Sequence, residues 1–288
     1  WDQDLAKPAF ITVGSGPQGM AFDGTSMWVA NSAGGTISRI DPATNSTIGT
    51  AVTVGTGPVG IAFDGTNLWV TNSGSNNVTR VNAATGTTVG SPTAVGTTPR
   101  GVAFDGANVW VTNNGSDSVS RIDASTGSVI GSPTAVGAGP IDVAFDGSKI
   151  WVANRNSNNV TSIESETGAV INTISVGTNP TGLAFDGTNL WVANFGSDNV
   201  TRIAASTGTV VGSPIAVGDG PADISFDGAN MWVTNALAGT VSRIDAASGA
   251  TIGAPVAVSS GPQNISFDGT SMWISHPGCC KVTKLRAT

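Results

Sequence analysis

The stretch Phe63-Asp64-Gly65-Thr66-Asn67-Leu68-Trp69-Val70-Thr71-Asn72-Ser73-Gly74-Ser75-Asn76-Asn77-Val78-Thr79-Arg80-Val81 decides the fold. Asp64-Gly65 is a hairpin turn signal, because glycine accepts positive φ without steric penalty. Asn67 to Thr71 alternates and is rich in β-forming side chains, and Asn77 to Val81 does the same with Val78 and Val81 apolar. The Asn-Ser-Gly-Ser-Asn cluster between them is a turn. Upstream, Gly60-Ile61-Ala62-Phe63 is a short apolar strand behind a Gly-Pro turn. Downstream, Ala84-Thr85-Gly86 turns the chain into Thr88 to Val95, where Gly90-Ser91-Pro92 reads as a bulge, since proline cannot donate to a ladder. The unit is therefore four short strands, a to d, with no helical period.

The unit recurs. Phe-Asp-Gly begins at Phe22, Phe63, Phe104, Phe145, Phe185, Phe226 and Phe267, in steps of 41 residues with one step of 40. A tryptophan follows each Phe at a fixed offset (Trp28, Trp69, Trp110, Trp151, Trp191, Trp232, Trp273), and a proline precedes each one. Repeats begin near 16, 57, 98, 139, 179, 220 and 261 and fill residues 1–288 as one domain. Four-stranded units at this period are propeller blades, which bury two apolar faces only by stacking around an axis. The expectation is an all-β, seven-bladed β-propeller of four-stranded antiparallel blades. The tryptophan on strand b is expected to fill the space between blades. The fourth unit is the short one: Val170-Ile171-Asn172-Thr173-Ile174 lacks the Gly-Ser-Pro bulge.

Closure is also readable. The seventh unit ends after Lys281 to Leu285 and lacks its fourth strand, whereas Pro8-Ala9-Phe10-Ile11-Thr12-Val13-Gly14 matches the end of such a strand. The segment 1–14 is expected to supply the outer strand of blade seven, leaving no open ring edge.

Leu68-Trp69-Val70-Thr71-Asn72, Asn77-Val78-Thr79-Arg80-Val81-Asn82 and Thr85-Gly86 resemble the YVTN family of β-propeller repeats, with Trp standing where that family has Tyr. The resemblance implies a surface or extracellular protein and no one activity. A weaker likeness, in the Gly-Pro-x-Gly and Leu-Trp elements, is to the seven-bladed streptogramin B lyases, and it implies a metal-assisted His–Glu site.

Several motifs invite chemistry. Gly14-Ser15-Gly16-Pro17-Gln18-Gly19 matches a dinucleotide-binding pattern, but a strand follows it, so no helix N-terminus is present to hold a pyrophosphate. The seven Asp of Phe-Asp-Gly read as turn residues rather than metal ligands. Arg39, Arg80, Arg121, Arg202 and Arg243 on strand c read as blade-to-blade or Arg–Asp pairing. His276 is the single histidine, and Glu164 and Glu166 are the two glutamates. His276 follows strand b, where other units carry Asn, while both glutamates lie in the c–d segment of unit four. In a meander these are opposite faces, so a His–Glu site is hard to assemble and no catalytic residue is assigned. Cys279-Cys280 is read as a vicinal disulfide, with two free thiols, an interchain bridge or a thiophilic metal as alternatives; zinc is disfavoured because His276 and two Cys make a poor ligand set.

Positions that break the repeat are free for function. After the turn proline they are Gln18, Arg100, Asp142, Asp223, Gln263 and Asn264; the b–c turns add Arg155, Phe195 and His276. All fall on one face, at the expected mouth of the central channel, and they form the candidate ligand site. Their mixed polarity suits a polar small molecule, a glycan or a peptide, with no cofactor and no metal.

Charged residues are 11% of the chain, against about a quarter in an average domain. The formal net charge of −7 opposes nucleic-acid binding, and no apolar run approaches the ~18 residues of a membrane span. The Ser, Thr, Asn and Gly surface, and a chain opening on Trp1 rather than Met, suggest a processed, secreted or cell-surface protein. Three functions stay open: a non-enzymatic binding, adhesion or assembly scaffold; a streptogramin lyase-like enzyme using His276; and a self-associating surface protein.

Overall fold

The computed structural model describes residues 9–287. The first eight residues of the 1–14 segment, Trp1 and Pro8 among them, lie outside the described residues. Seven antiparallel sheets follow in chain order, each a meander of four strands a to d. In blade two, strand a is Pro58–Phe63, b is Asn67–Asn72, c is Asn77–Asn82, and d is two short pieces, Thr87–Thr88 and Thr93–Ala94. The a strands of successive blades line the axis and the d strands form the rim. This is the seven-bladed propeller the repeat predicts.

Each Phe-Asp-Gly turn is built the same way. In blade one, Asp23 Oδ1 accepts the amide hydrogens of Thr25 and Ser26, and Oδ2 accepts the Trp28 indole N–H at 2.7 Å. The indole bond recurs in all seven blades at 2.6–2.7 Å. Burial pushes the Asp23 carboxyl up, but the indole and turn donors together outweigh it and hold the pKa below the usual value. The seven Asp are turn anchors.

The core is divided among the blade interfaces. Trp28 packs with Ile61, Leu68, Val70 and Val81 of blade two, and each later tryptophan packs in the same way on the following blade. Trp273 closes the ring by joining Met20, Met27, Val29 and Ile40 of blade one with Ile11 and Val282. A fully buried apolar side chain of this size contributes about 1.5–3 kcal/mol relative to leaving it exposed.

Strand-c cations tie the blades together. Arg39 lies 5.3 Å from the Trp28 ring centroid and donates to Ala84 O of blade two; Arg80 lies 5.5 Å from Trp69 and donates to Ala124 O of blade three. The expected blade-to-blade pairing is present, but the acceptors are turn carbonyls rather than Asp. Blade seven repeats the device across the closure: Lys284 lies 5.0 Å from Trp273 and donates to Pro42 O of blade one at 2.6 Å.

Strand Ala9–Thr12 pairs antiparallel with Lys281–Arg286, in the register Ile11↔Val282 and Thr12↔Lys281. The N-terminal strand is thus the outer strand of blade seven. Blade four also follows its sequence: without Gly-Ser-Pro, its strand d is one run, Val170–Ser175, with a one-residue irregularity at Ile171.

Candidate functional site

The inner strands start with a local departure from regular pairing. In blade two Pro58 pairs with Asn72, and the next regular pair is Ile61↔Val70, so Val59 and Gly60 bulge toward the axis. A Cβ on Gly60 would collide with Arg100 O of the next blade, and one on Gly19 with Val59 O, so glycine here is a packing requirement. Thr71 bridges the same junction, accepting from Gly60 N at 2.8 Å and donating to Arg100 O at 2.5 Å.

At three blades this glycine is replaced by a polar residue: Asp142, Asp223 and Asn264. The carboxylates reach to the neighbouring blade. Asp142 Oδ2 accepts from Leu183 N at 2.8 Å, and Asp223 Oδ2 accepts from Ile265 N at 2.9 Å and from Asn264 Nδ2 at 3.4 Å. In the two aspartate blades regular pairing resumes one residue earlier, at Asp142↔Ala153 and Asp223↔Thr234. Burial pushes the Asp142 carboxyl up to about 6. Asp223 is pushed up to about 8, first by burial and then by the like charge of Asp142, against the pull of its amide donors.

A cavity of about 460 Å³ opens at this end of the channel. Gln18, Arg100, Asp142, Arg155, Phe195, Asp223, Gln263 and Asn264 all line it, so eight of the nine sequence-derived candidates share one wall. The b–c turns of blades four and five supply Arg155 and Phe195, with the guanidinium 5.4 Å from the ring centroid. Arg100 is half-buried; burial, and secondarily the positive charge of Arg155, lowers its pKa, and its Nε is buried without a hydrogen-bond partner. Sequence reading passes over Thr181, which is buried, lines the cavity and donates to Pro221 O at 3.1 Å. Its one signal is that it stands where other repeats carry Gln, Val, Arg, Ile or Ala.

His276 is the ninth candidate and is not in the cavity wall. It is fully buried, and Nε2 sits 2.7 Å from Thr283 Oγ1. That repeats the buried asparagine of the other blades, such as Asn72 Nδ2 to Thr79 Oγ1 at 2.9 Å and Asn154 Nδ2 to Thr161 Oγ1 at 2.8 Å. Gly55 and Gly137, on which those asparagines pack, correspond to Ser259 in blade seven. Burial lowers the His276 pKa, partly offset by the backbone of Ser260 and Ser259. Glu164 closes strand c of blade four, and Glu166 lies in the following turn, where its carbonyl accepts from Arg121. These are at the opposite face from the end of strand b that carries His276. The metal-assisted His–Glu site implied by the lyase likeness therefore does not fit these residues, and no group of three or more His, Cys, Asp or Glu converges among the described residues.

The expected vicinal disulfide is absent: Cys279 and Cys280 are free thiols. They sit in the b–c turn of blade seven, where Cys280 has φ 52° and Cys279 Sγ points to the His276 carbonyl at 3.6 Å. Among the described residues no helix is long and apolar enough to cross a membrane.

The fold is shared with solved structures of low sequence identity. A virginiamycin B lyase from Staphylococcus aureus superposes with TM-score 0.82 at 20% identity, covering 98% of this chain and 99% of that one. A streptogramin B lyase gives 0.81 at 19% identity, covering 99% of each. Kuenenia stuttgartiensis hydrazine synthase gives 0.83 at 20% identity, covering 96% of this chain and 97% of that chain. Likenesses at this level show the fold alone. A search of curated proteins finds no match. Of the two resemblances in the sequence, the family comparison carries the lyase one: residues 5–285 match the virginiamycin B lyase family, and the chain belongs to that family.

Proposed function

We propose that this propeller is a non-enzymatic binding protein that takes a polar ligand at the channel mouth. One observation carries the reading: residues that break the repeat come from six different blades and share the wall of one cavity. Its volume of about 460 Å³ lies within the ~300–1,000 Å³ range of small-molecule sites. The sparse charge and hydroxyl-rich surface support an extracellular setting. Saturation-transfer NMR against sugars, amino acids and short peptides tests the siting. A ligand that binds the wild type should lose at least tenfold in affinity to Arg100→Ala and to Asp223→Asn. Unchanged affinity in both variants sinks it.

Family membership supports a second reading, lyase action on virginiamycin B. Burial of His276 in a structural hydrogen bond, away from the cavity, speaks against it. Virginiamycin B incubated with the protein should emerge intact from reversed-phase chromatography. A cleavage product that disappears in His276→Asn would overturn the non-enzymatic reading.

A further inference from the structure

The charged residues in the cavity wall are two arginines and two aspartates, so its formal charge balances. They are not arranged as two ion pairs. Arg100, on the inner strand of blade three, and Arg155, on the b–c turn of blade four, are cationic neighbours, and the Arg100 Nε is buried without a hydrogen-bond partner. Arg155 is further fixed by stacking on Phe195. Asp142 and Asp223 are carboxyl neighbours on the inner strands of blades four and six, separated by the narrow Gly182 strand of blade five; burial and their mutual repulsion keep a proton on the pair, on Asp223 above all, which a bound cation would displace. A Cβ on Gly182 would lie 2.6 Å from Asp223 Oδ1, so this glycine lets the carboxylates flank one backbone. Each carboxyl is held by backbone amides of the next blade, which fixes its position.

Keeping like charges together inside a partly desolvated cavity is unfavourable, because Coulomb energies grow as the effective dielectric falls. The opposite charges needed to relieve it are present in the same wall, and the fold keeps them apart. Such an arrangement is relieved by a ligand that brings the complementary charges in the complementary order. Planar guanidinium groups match a carboxylate in two-point fashion. A carboxylate pair beside the Asn264 amide matches an ammonium group, whose donors need acceptors on several sides.

We propose that the ligand is a zwitterion, an α-amino acid or short peptide with both termini free, whose carboxylate meets Arg100 and Arg155 and whose ammonium meets Asp142 and Asp223. This rests on the reading of the cavity as a ligand site. Gln18, Gln263 and Thr181 then line the span between the charged ends, and Phe195 offers its ring to an apolar side chain.

The test uses three probes on the full-length protein by calorimetry: the dipeptide Ala-Phe, its N-acetyl derivative and its C-terminal amide. The free dipeptide should bind at least tenfold more tightly than either blocked form. Arg100→Gln should abolish the preference over the amide and keep the preference over the N-acetyl form; Asp223→Asn should do the reverse. Equal binding of all three probes overturns the zwitterion assignment. If neutral sugars bind instead and lose affinity in Arg100→Ala, the cavity remains a ligand site and only the zwitterion assignment fails. If neither dipeptide nor sugar binds at millimolar concentration, both fail. Because the probe comparison is made on wild-type protein, a variant that does not fold leaves the test intact.

Discussion

Cys280 occupies a position with one backbone conformation in all seven blades. Its equivalents Gly35, Asn76, Asp117, Asn158, Asp198 and Gly239 all have φ between 48° and 67°. Glycine takes this left-handed region freely, and Asn or Asp more readily than other side chains. In blades two to five the side-chain oxygen also caps the following blade: Asn76 accepts from Thr98 N, Asp117 from Gly139 N, Asn158 from Asn179 N and Asp198 from Gly220 N, each at 2.8 Å. A cysteine supplies neither the tolerance nor the oxygen. Left-handed strain costs on the order of 1–3 kcal/mol. Cys280→Asn should therefore stabilise the protein by about 1 kcal/mol, a rise of about 2–4 °C in a reducing thermal melt. An unchanged or lower midpoint means the strain is not there.

Individual side chains also mark how far the sequence could be read. That Gln18, Arg100, Asp142, Arg155, Phe195, Asp223, Gln263 and Asn264 belong together was legible, because strand alternation and turn order place them at one end of the axis. That Asp142 and Asp223 would bond to the next blade's amides was not, because it depends on how closely the inner strands approach. His276 shows the same gap: a lone histidine at a turn does not announce burial, whereas the meander buries it beneath the preceding d–a turn at Ser259 and Ser260.

Among the blades, the fourth departs most from the repeat. Ser162 stands on strand c where five other blades carry Arg and blade seven carries Lys284, and its hydroxyl is buried without a partner. Lys149, from the start of strand b, takes over the role of the absent arginine. Its Nζ lies 5.8 Å from the Trp151 centroid and donates to Ala205 O of blade five at 2.6 Å. The interface keeps its cation although the supplying strand has changed, which one strand's sequence cannot reveal. Lys149→Met should lower stability by about 1–2 kcal/mol, the worth of a charge-assisted hydrogen bond with some cation–π contact. Adding Ser162→Arg should recover most of that loss. Urea midpoints of the single and double variants measure both effects, and a double variant no better than Lys149→Met would discard the compensation.

The same blade has the unbroken outer strand Val170–Ser175, with Val170 and Ile171 exposed. The rims of blades two, three, five and six are interrupted by both Gly and Pro, devices that blunt an edge against pairing with a second chain. Here the missing residue in the repeat was legible in the sequence, and its consequence is an edge strand of six residues with a single irregularity at Ile171.

Across the protein, titration pulls stability in two directions. The turn carboxyls Asp23, Asp105, Asp186, Asp227 and Asp268 have lowered pKa values in the fold, so their contribution is present above the unfolded value of about 3.9 and is lost as the pH falls below it. Asp142 and Asp223 have raised values, so the folded state retains protons that the unfolded chain has released, and stability falls as the pH rises from about 4 through about 6 and about 8. His276, with a lowered value, contributes stability that fades on acidification through about 6.5 and is common to wild type and variant. Asn keeps the oxygen that accepts from Leu183 N and Ile265 N, and blade seven already carries Asn264 at this place. The double variant Asp142→Asn and Asp223→Asn should therefore lose less stability between pH 5 and pH 8 than the wild type, by urea denaturation. Equal losses would show that the buried pair does not set the pH dependence.

The closing strand has a consequence for how the molecule is made. A chain leaving the ribosome amino end first releases Ala9–Thr12 before any partner exists, and the partner Lys281–Arg286 emerges only after six whole blades. Six blades can stack in the meantime. Throughout that interval the growing arc carries raw faces at both ends, Met20 and Met27 on the first blade and Trp232 on the sixth. Translation of the seventh blade covers both at once. The vulnerable period is therefore set by elongation speed.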